Sequence, residues 1–248
     1  MLDASSARIY NLGLDSGATF AMIGSDGGLL AAPYETERLA LSPGERADIV
    51  VRMRAGDRKV LRSYPMELGV DVFNQRFAGA DDTLDLVQLR AADTLHRSGP
   101  LPTALVDVPR PGAGGAAVER SFELSGNEIN GVEMDPTRID ETVTVGNTEI
   151  WRVTNASGTP HNFHIHDVQF QVFDIDGRSP PGHLSGWKDT VYLAPGSAIR
   201  LIMRFTDYTD PDTPYMYHCH LLQHEDRGLM GTIRGGRAGA ARRVPGRA

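Results

Sequence analysis

Tyr217-His218-Cys219-His220-Leu221-Leu222-Gln223-His224 holds the only cysteine of a 248-residue chain and three of its eight histidines. If Met216 to Leu221 is a β-strand, successive side chains point to opposite faces, so His218 and His220 look one way and Cys219 the other. One strand then serves two metal sites at once. His224, five residues past the cysteine and beyond an expected turn, is placed to return to the Cys219 side.

A second stretch repeats the arrangement: His161-Asn162-Phe163-His164-Ile165-His166, running into Val168-Gln169-Phe170-Gln171-Val172-Phe173. By the same parity His164 and His166 share a face and His161 falls on the other. The ligating side chains therefore divide into His161, Cys219 and His224 on one side, and His164, His166, His218 and His220 on the other. A lone buried histidine or cysteine is ordinarily a packing residue. Six histidines and the only cysteine in two compact clusters are not accounted for in that way. A thiolate with two imidazoles and a weak axial neighbour is the pattern of a blue-copper electron-transfer centre. Zinc is the rival, but its usual sites gather their Cys and His ligands in one tetrahedron, which the division between two faces disfavours.

His161-x-x-His164-x-His166 and His218-Cys219-His220-x-x-x-His224 resemble copper-binding segments of the multicopper oxidases, the laccase-like family. The resemblance extends through Trp187-Lys188-Asp189-Thr190-Val191 and back to Asp3-Ala4-Ser5-Ser6-Ala7-Arg8-Ile9-Tyr10, Gly24-Ser25-Asp26-Gly27-Gly28 and Pro43-Gly44-Glu45-Arg46-Ala47-Asp48. It covers nearly the whole chain in family order. It implies an all-β fold of two cupredoxin-like Greek-key barrels or sandwiches, the first truncated at its N-terminus.

Composition bounds the rest. Forty per cent apolar residues, with no apolar run near the length that crosses a bilayer, indicate a soluble globular protein with no membrane span. A formal charge of -7 disfavours nucleic acid as a partner. One cysteine permits no internal disulfide, so cysteine usage does not report a redox compartment. Met1-Leu2-Asp3 runs at once into an interior-like stretch without the features of a signal peptide. The chain is therefore expected to carry no export signal and to be the carboxyl-terminal part of something larger, although the resemblance suggests a periplasmic or extracellular full-length form.

Residues 1–90 read as a cupredoxin-like domain without copper ligands. Its expected strands are Arg8 to Leu12, Thr19 to Ile23, Glu37 to Leu41, Ala47 to Arg52, Leu61 to Pro65 and Thr83 to Leu89, with Gly- and Pro-rich turns between them. It contains no histidine, so its expected role is structural, with Arg46 and Asp48 as a local salt-bridge pair. Residues 91–117, rich in Pro and Gly and containing a solvated His96, read as a linker. Residues 118–235 read as the copper-binding domain, with expected strands Glu119 to Ser125, Glu141 to Val145, Glu149 to Asn155, Asn162 to Ile175, Trp187 to Leu193, Ala198 to Phe205 and Tyr215 to Leu221. Gln223 to Leu229 leaves room for one helical turn, and 236–248 reads as a disordered basic tail.

The resemblance assigns His161, Cys219 and His224 to a type 1 copper. The axial position falls on Leu229, or on Met230 if the register slips by one. His164, His166, His218 and His220 would form half of a type 2/3 trinuclear cluster that the family builds from eight imidazoles. His96 and His183 are isolated and do not fill the gap. Glu225 stands where the family has a proton-relay carboxylate, and Asp189 is placed to support an imidazole N–H. The reductant would be a phenol, an aromatic amine or a metal ion, the acceptor dioxygen, and a further chain carrying the missing first domain a partner. A mononuclear blue-copper carrier and an inactive pseudo-oxidase scaffold are the competing readings.

Overall fold

The computed structural model describes residues 1–206, 209–210 and 212–237. Among these, strands carry nearly all of the regular structure. The first half contains β1 (Tyr10–Leu14), β2 (Phe20–Ser25), β3 (Gly28–Thr36), β4 (Leu39–Leu41), β5 (Asp48–Val50) and β6 (Arg58–Ser63), then a short helix α1 (Val72–Phe77) and β7 (Leu84–Arg90). They form a four-stranded sheet in the order β4-β1-β6-β7 and a three-stranded sheet in the order β3-β2-β5. Leu14, Phe20, Met22, Leu30 and Leu39, all at or below 2% exposure, fill the space between them.

The second half contains β8 (Val118–Ser125), β9 (Glu128–Ile129), β10 (Glu141–Thr144), β11 (Thr148–Asn155), β12 (His161–Ile165), β13 (Phe170–Ile175), β14 (Thr190–Leu193), β15 (Ala198–Arg204), β16 (Tyr215–His218), the single-turn helix α2 (Leu222–Glu225) and β17 (Met230–Gly236). Two five-stranded sheets result, β10-β17-β16-β12-β14 and β13-β15-β11-β8-β9. Most neighbours are antiparallel. β10 with β17 and β8 with β11 are parallel, so these pairs need crossovers rather than hairpins. Alternating apolar residues from both sheets interdigitate around Trp151, whose ring lies 4.5 Å from Phe122, 5.8 Å from Tyr217 and 6.3 Å from Phe163, centroid to centroid. Burying such rings is the largest single source of stabilisation in a sandwich core. The fold is all-β, two cupredoxin-like sandwiches in series.

Several local expectations are corrected. Asn162 to Ile175 is not one strand: β12 ends at Ile165, and Asp167 at φ 70° turns the chain before β13 begins at Phe170. The strand expected from Tyr215 to Leu221 ends at His218. The alternation still carries through Cys219, because the Cys219 N–H donates to Leu229 O at 3.1 Å and extends the ladder by one bond. The helical turn expected within Gln223 to Leu229 is α2, which begins one residue earlier. Strands β3, β9 and β17 and helix α1 lie where no element was expected. Gly236 closes β17, and the remainder of the expected tail, 238–248, lies outside the described residues. No helix among the described residues is long and apolar enough to cross a membrane.

Candidate metal centre

Strand register brings the two histidine segments together. β12 and β16 are adjacent and antiparallel, with His164 directly opposite His218 and Ile165 opposite Tyr217. Residues directly opposite each other share a face, so His164 and His218 project together. His161 and Cys219 project to the other face, toward the hydrophobic core that includes Cys219 itself.

On the core side, Cys219 Sγ lies 3.6 Å from His161 Nδ1 and 3.6 Å from His224 Nδ1. Cys219 and His161 are both fully buried. His224 is half-buried on α2, which Leu222 fastens by donating its N–H to Ser6 O at 2.7 Å. A first-row metal bonded to nitrogen at ~2.0 Å and to sulfur at ~2.3 Å in a trigonal set separates the donors by about 3.7 Å, so the spacing fits an ion seated between them. The chemistry agrees. Burial pulls His161 down to about 3, keeping its imidazole neutral, and lowers His224 as well, with the Arg227 charge adding. Burial pushes the Cys219 thiol up to about 12. A bound metal overrides that preference by displacing the thiol proton.

Leu229 is fully buried. The register Tyr217↔Gly231 and His218↔Met230 continues to Cys219 opposite Leu229. Leu229 therefore lies on the Cys219 face and Met230 on the His218 face.

On the opposite side, His164, His166 and His218 offer ligand atoms that all lie within 4.8 Å of one another. His166 Nε2 and His218 Nε2 converge to 3.1 Å. The His220 ring packs 5.3 Å from His164 and 5.4 Å from His218. His164 Nδ1 faces Asp189 O at 3.0 Å and Thr190 Oγ1 at 2.9 Å. A carbonyl only accepts, so Nδ1 carries the proton and Nε2 keeps its lone pair for a metal. His218 Nδ1 similarly faces Cys219 O at 3.2 Å, with Glu225 Oε2 at 3.4 Å. Burial holds the His218 imidazole down at about 3. His183 stands apart, half-buried beside Tyr34, and His96 is exposed.

The support behind these imidazoles comes from the histidine-free half. Arg46 does not pair with Asp48, which is exposed. It reaches Asp189 instead with both terminal nitrogens at 2.6 Å. The Thr190 hydroxyl donates to the same carboxylate at 2.8 Å, so Asp189 orients His164 through its own carbonyl and through Thr190. Beneath this pair lies a buried triad: Lys188 Nζ sits 2.9 Å from Asp26 Oδ2 and 3.2 Å from Glu45 Oε1. Asn162 donates to Ser42 Oγ and Pro43 O, while its Oδ1 accepts the His220 N–H. Gly44, at φ 85°, leaves room for His220, whose Cδ2 is 2.7 Å from where a Cβ would stand. Reading the chain by local pattern missed Asp26, Ser42, Glu45 and Lys188. Their signal was confined to three short stretches, around Asp26, Ser42 to Glu45 and Lys188, the last more than a hundred residues from the other two.

Two cupredoxin-like sandwiches, with a buried Cys-His-His set backed by a group of four imidazoles, define a copper-binding protein. The family model for multicopper oxidases matches residues 111–237. The chain belongs to the multicopper oxidase family. Over 242 residues it is 32% identical to a multicopper oxidase of Staphylococcus haemolyticus, covering 94% of this chain and 47% of that protein. It is 32% identical over 238 residues to the cell division protein FtsP of Photorhabdus laumondii, covering 94% and 49%. The crystal structure of a laccase from Pediococcus acidilactici superposes with a TM-score of 0.79 at 30% identity, covering 95% of this chain and 49% of that one. The chain thus spans about half the length of the relatives it matches.

Proposed function

We propose that the chain is the copper-bearing, carboxyl-terminal part of a laccase-like oxidase that takes single electrons from a small reducing substrate and passes them toward dioxygen. His161, Cys219 and His224 hold the type 1 copper, with Leu229 at the axial position. His164, His166, His218 and His220 hold their half of the trinuclear cluster. The copper ions, when bound, supply one-electron redox chemistry at the first site and reduction of oxygen at the second. The remaining imidazoles come from the rest of a longer protein or from a partner chain, and the full protein works in the periplasm or outside the cell.

The observation that carries this reading is the 3.6 Å convergence of Cys219 Sγ with two Nδ1 atoms, while both sequence neighbours of the cysteine face the other metal group. An electron arriving at Cys219 is one residue away from either His218 or His220. Half-buried Glu225, 3.4 Å from His218 Nδ1, stands at the edge of the four-imidazole group and is assigned the proton relay. Leu229, buried on the Cys219 face, has no ligating atom and would offer a bound copper no further donor while keeping water from the sulfur. Lack of such a donor disfavours the cupric state and raises the reduction potential.

The test is copper analysis together with a visible spectrum of the purified chain. About one copper and an intense thiolate-to-copper band are expected of the type 1 set, and Cys219→Ser removes the band. A band that survives that substitution refutes the ligand assignment. A relative named for cell division rather than for oxidation favours a second reading for this chain, an inactive scaffold. Protein that binds no copper under loading conditions decides for it.

A further inference from the structure

The half-buried side of the type 1 set opens on a cavity of about 630 Å³ that His224 lines. Tyr10, Pro160 and Leu221 give it an apolar wall, on which a flat ring packs. Its charged lining is Arg8 and Arg227. Among the described residues no carboxylate, methionine or cysteine lines it, although the chain as a whole carries 32 acidic residues against 25 basic ones. The two arginines are not equivalent. Arg8 is already committed, with Asp82 at 2.9 Å and Gly79 O at 2.7 Å. The Arg227 side chain makes no ion pair among the described residues and stands exposed, three residues from His224.

We propose that this cavity receives the electron donor and that Arg227 selects aromatic donors bearing an anionic substituent, carboxylated phenols above all. This rests on the type 1 assignment given above and narrows its substrate class. A metal-ion donor is favoured by anionic carboxylate or thiolate ligands or by free imidazole; the described lining has no anionic group, its one imidazole belongs to the Cys219 set, and it presents a cation. A neutral phenol gains only the apolar wall. A carboxylated phenol gains the wall and a charge-assisted hydrogen bond to the guanidinium, with its hydroxyl end left to face the His224 edge. In the transfer step the phenol loses one electron and its hydroxyl proton and becomes a phenoxyl radical. With copper bound, the Cys219 set would be the one-electron acceptor, and the proton passes to solvent.

The experiment uses 4-hydroxy-3,5-dimethoxybenzoate and its neutral amide, which differ in charge at nearly constant shape. Titration calorimetry on the metal-free chain reads binding alone. The acid is expected to bind about fivefold more tightly than the amide at low salt, the size of effect an exposed pair gives. Arg227→Gln removes the difference, Arg227→Lys retains part of it, and half-molar salt abolishes it. Equal affinities for acid and amide, or a preference that Arg227→Gln leaves intact, overturn the proposal. Stopped-flow bleaching of the blue band in the copper-loaded chain then tests position: the acid is expected to bleach it faster than the amide, and Arg227→Gln to equalise the rates. Equal rates in the unsubstituted chain also overturn it. Absence of any blue band refutes the type 1 assignment, whereas loss of charge preference at the cavity refutes only the substrate class.

Discussion

Replacing Lys188 by methionine tests how the two sandwiches are joined, because this buried amine bridges two carboxylates from the other half of the chain, with Arg46 a more distant cation 3.9 Å from Asp26. The Lys188 side chain is 1% exposed, Asp26 0% and Glu45 5%. Removing one partner of a buried ionic group costs about 3–5 kcal/mol, since the charge left behind is neither hydrated nor paired. Here the loss falls near the lower bound. Asp26 keeps the backbone N–H of Arg46 at 2.7 Å and weaker contacts from Asp189 and Thr190 N–H at 3.4 and 3.3 Å. Glu45 Oε2 keeps the Ser42 N–H and hydroxyl, both at 2.8 Å. The expected loss for Lys188→Met is therefore about 3 kcal/mol.

Urea unfolding of the metal-free chain at pH 7, followed by tryptophan fluorescence, measures it. The companion variant Glu45→Gln and the double variant close a cycle whose coupling energy is expected at about 1–3 kcal/mol. Burial alone lowers the Lys188 pKa, but Glu45 and Asp26 outweigh it and hold the ammonium above its ordinary 10.5. A folded-state value raised above the unfolded one stabilises fully below pH 10.5 and is lost as pH rises beyond it. The wild type should then weaken in strong alkali more than Lys188→Met does. A loss under 1 kcal/mol together with no coupling to Glu45 refutes the reasoning, because that result would mean water reaches the triad.

Other perturbations separate the two metal groups. Leu229→Met should lower the reduction potential of the blue site by adding an axial thioether, read by redox titration of the visible band. An unchanged potential would remove Leu229 from the Cys219 side. Arg46→Gln frees Asp189 and with it the hold on His164, so copper affinity at the four-imidazole group should fall about 10- to 100-fold while the blue band is unaltered. Gly44→Ala, which places a methyl against His220, should do the same by a steric route. If either variant bleaches the blue band as much as it unloads the second group, the supports are not specific to that face. Asp3 is buried with Oδ2 unpartnered, and burial pushes its pKa up to about 6 from 3.8. The folded state binds that proton more tightly, so its contribution is full below pH 3.8 and lost as pH rises through 6. Asp3→Asn should gain about 1–2 kcal/mol on the wild type at pH 8 relative to pH 4, after allowing for solvent screening. Parallel pH profiles for the two proteins would refute this.

The centre was legible because its geometry is local. A period of two separates Cys219 from His218 and His220 wherever the backbone stays extended, and one further ladder bond to Leu229 keeps it so past the end of β16. Elements that escaped the pattern had compensating reasons. β3 contains Pro33, which argues against a central strand, yet it lies at the edge of the sheet order β3-β2-β5, where a missing N–H is tolerated. α1 has only six residues, and its strongest signal is a cap: Asp71 accepts the N–H groups of Phe73 and Asn74.

The Arg46–Asp189 pair was invisible for a different reason. Its members lie 143 positions apart, and no periodicity links residues that only tertiary packing brings together. The same fact decides what the histidine-free half contributes. Without an imidazole of its own, it reaches the metal group through backbone and side chains at Ser42, Pro43, Gly44 and Arg46, on one turn. That turn touches His164 through Asp189 and His220 through Asn162 and Gly44. From the same half the thiolate site receives the Ser6 carbonyl that holds α2 and so His224, and a change in how the halves dock therefore falls more heavily on the four-imidazole group than on the Cys219 set.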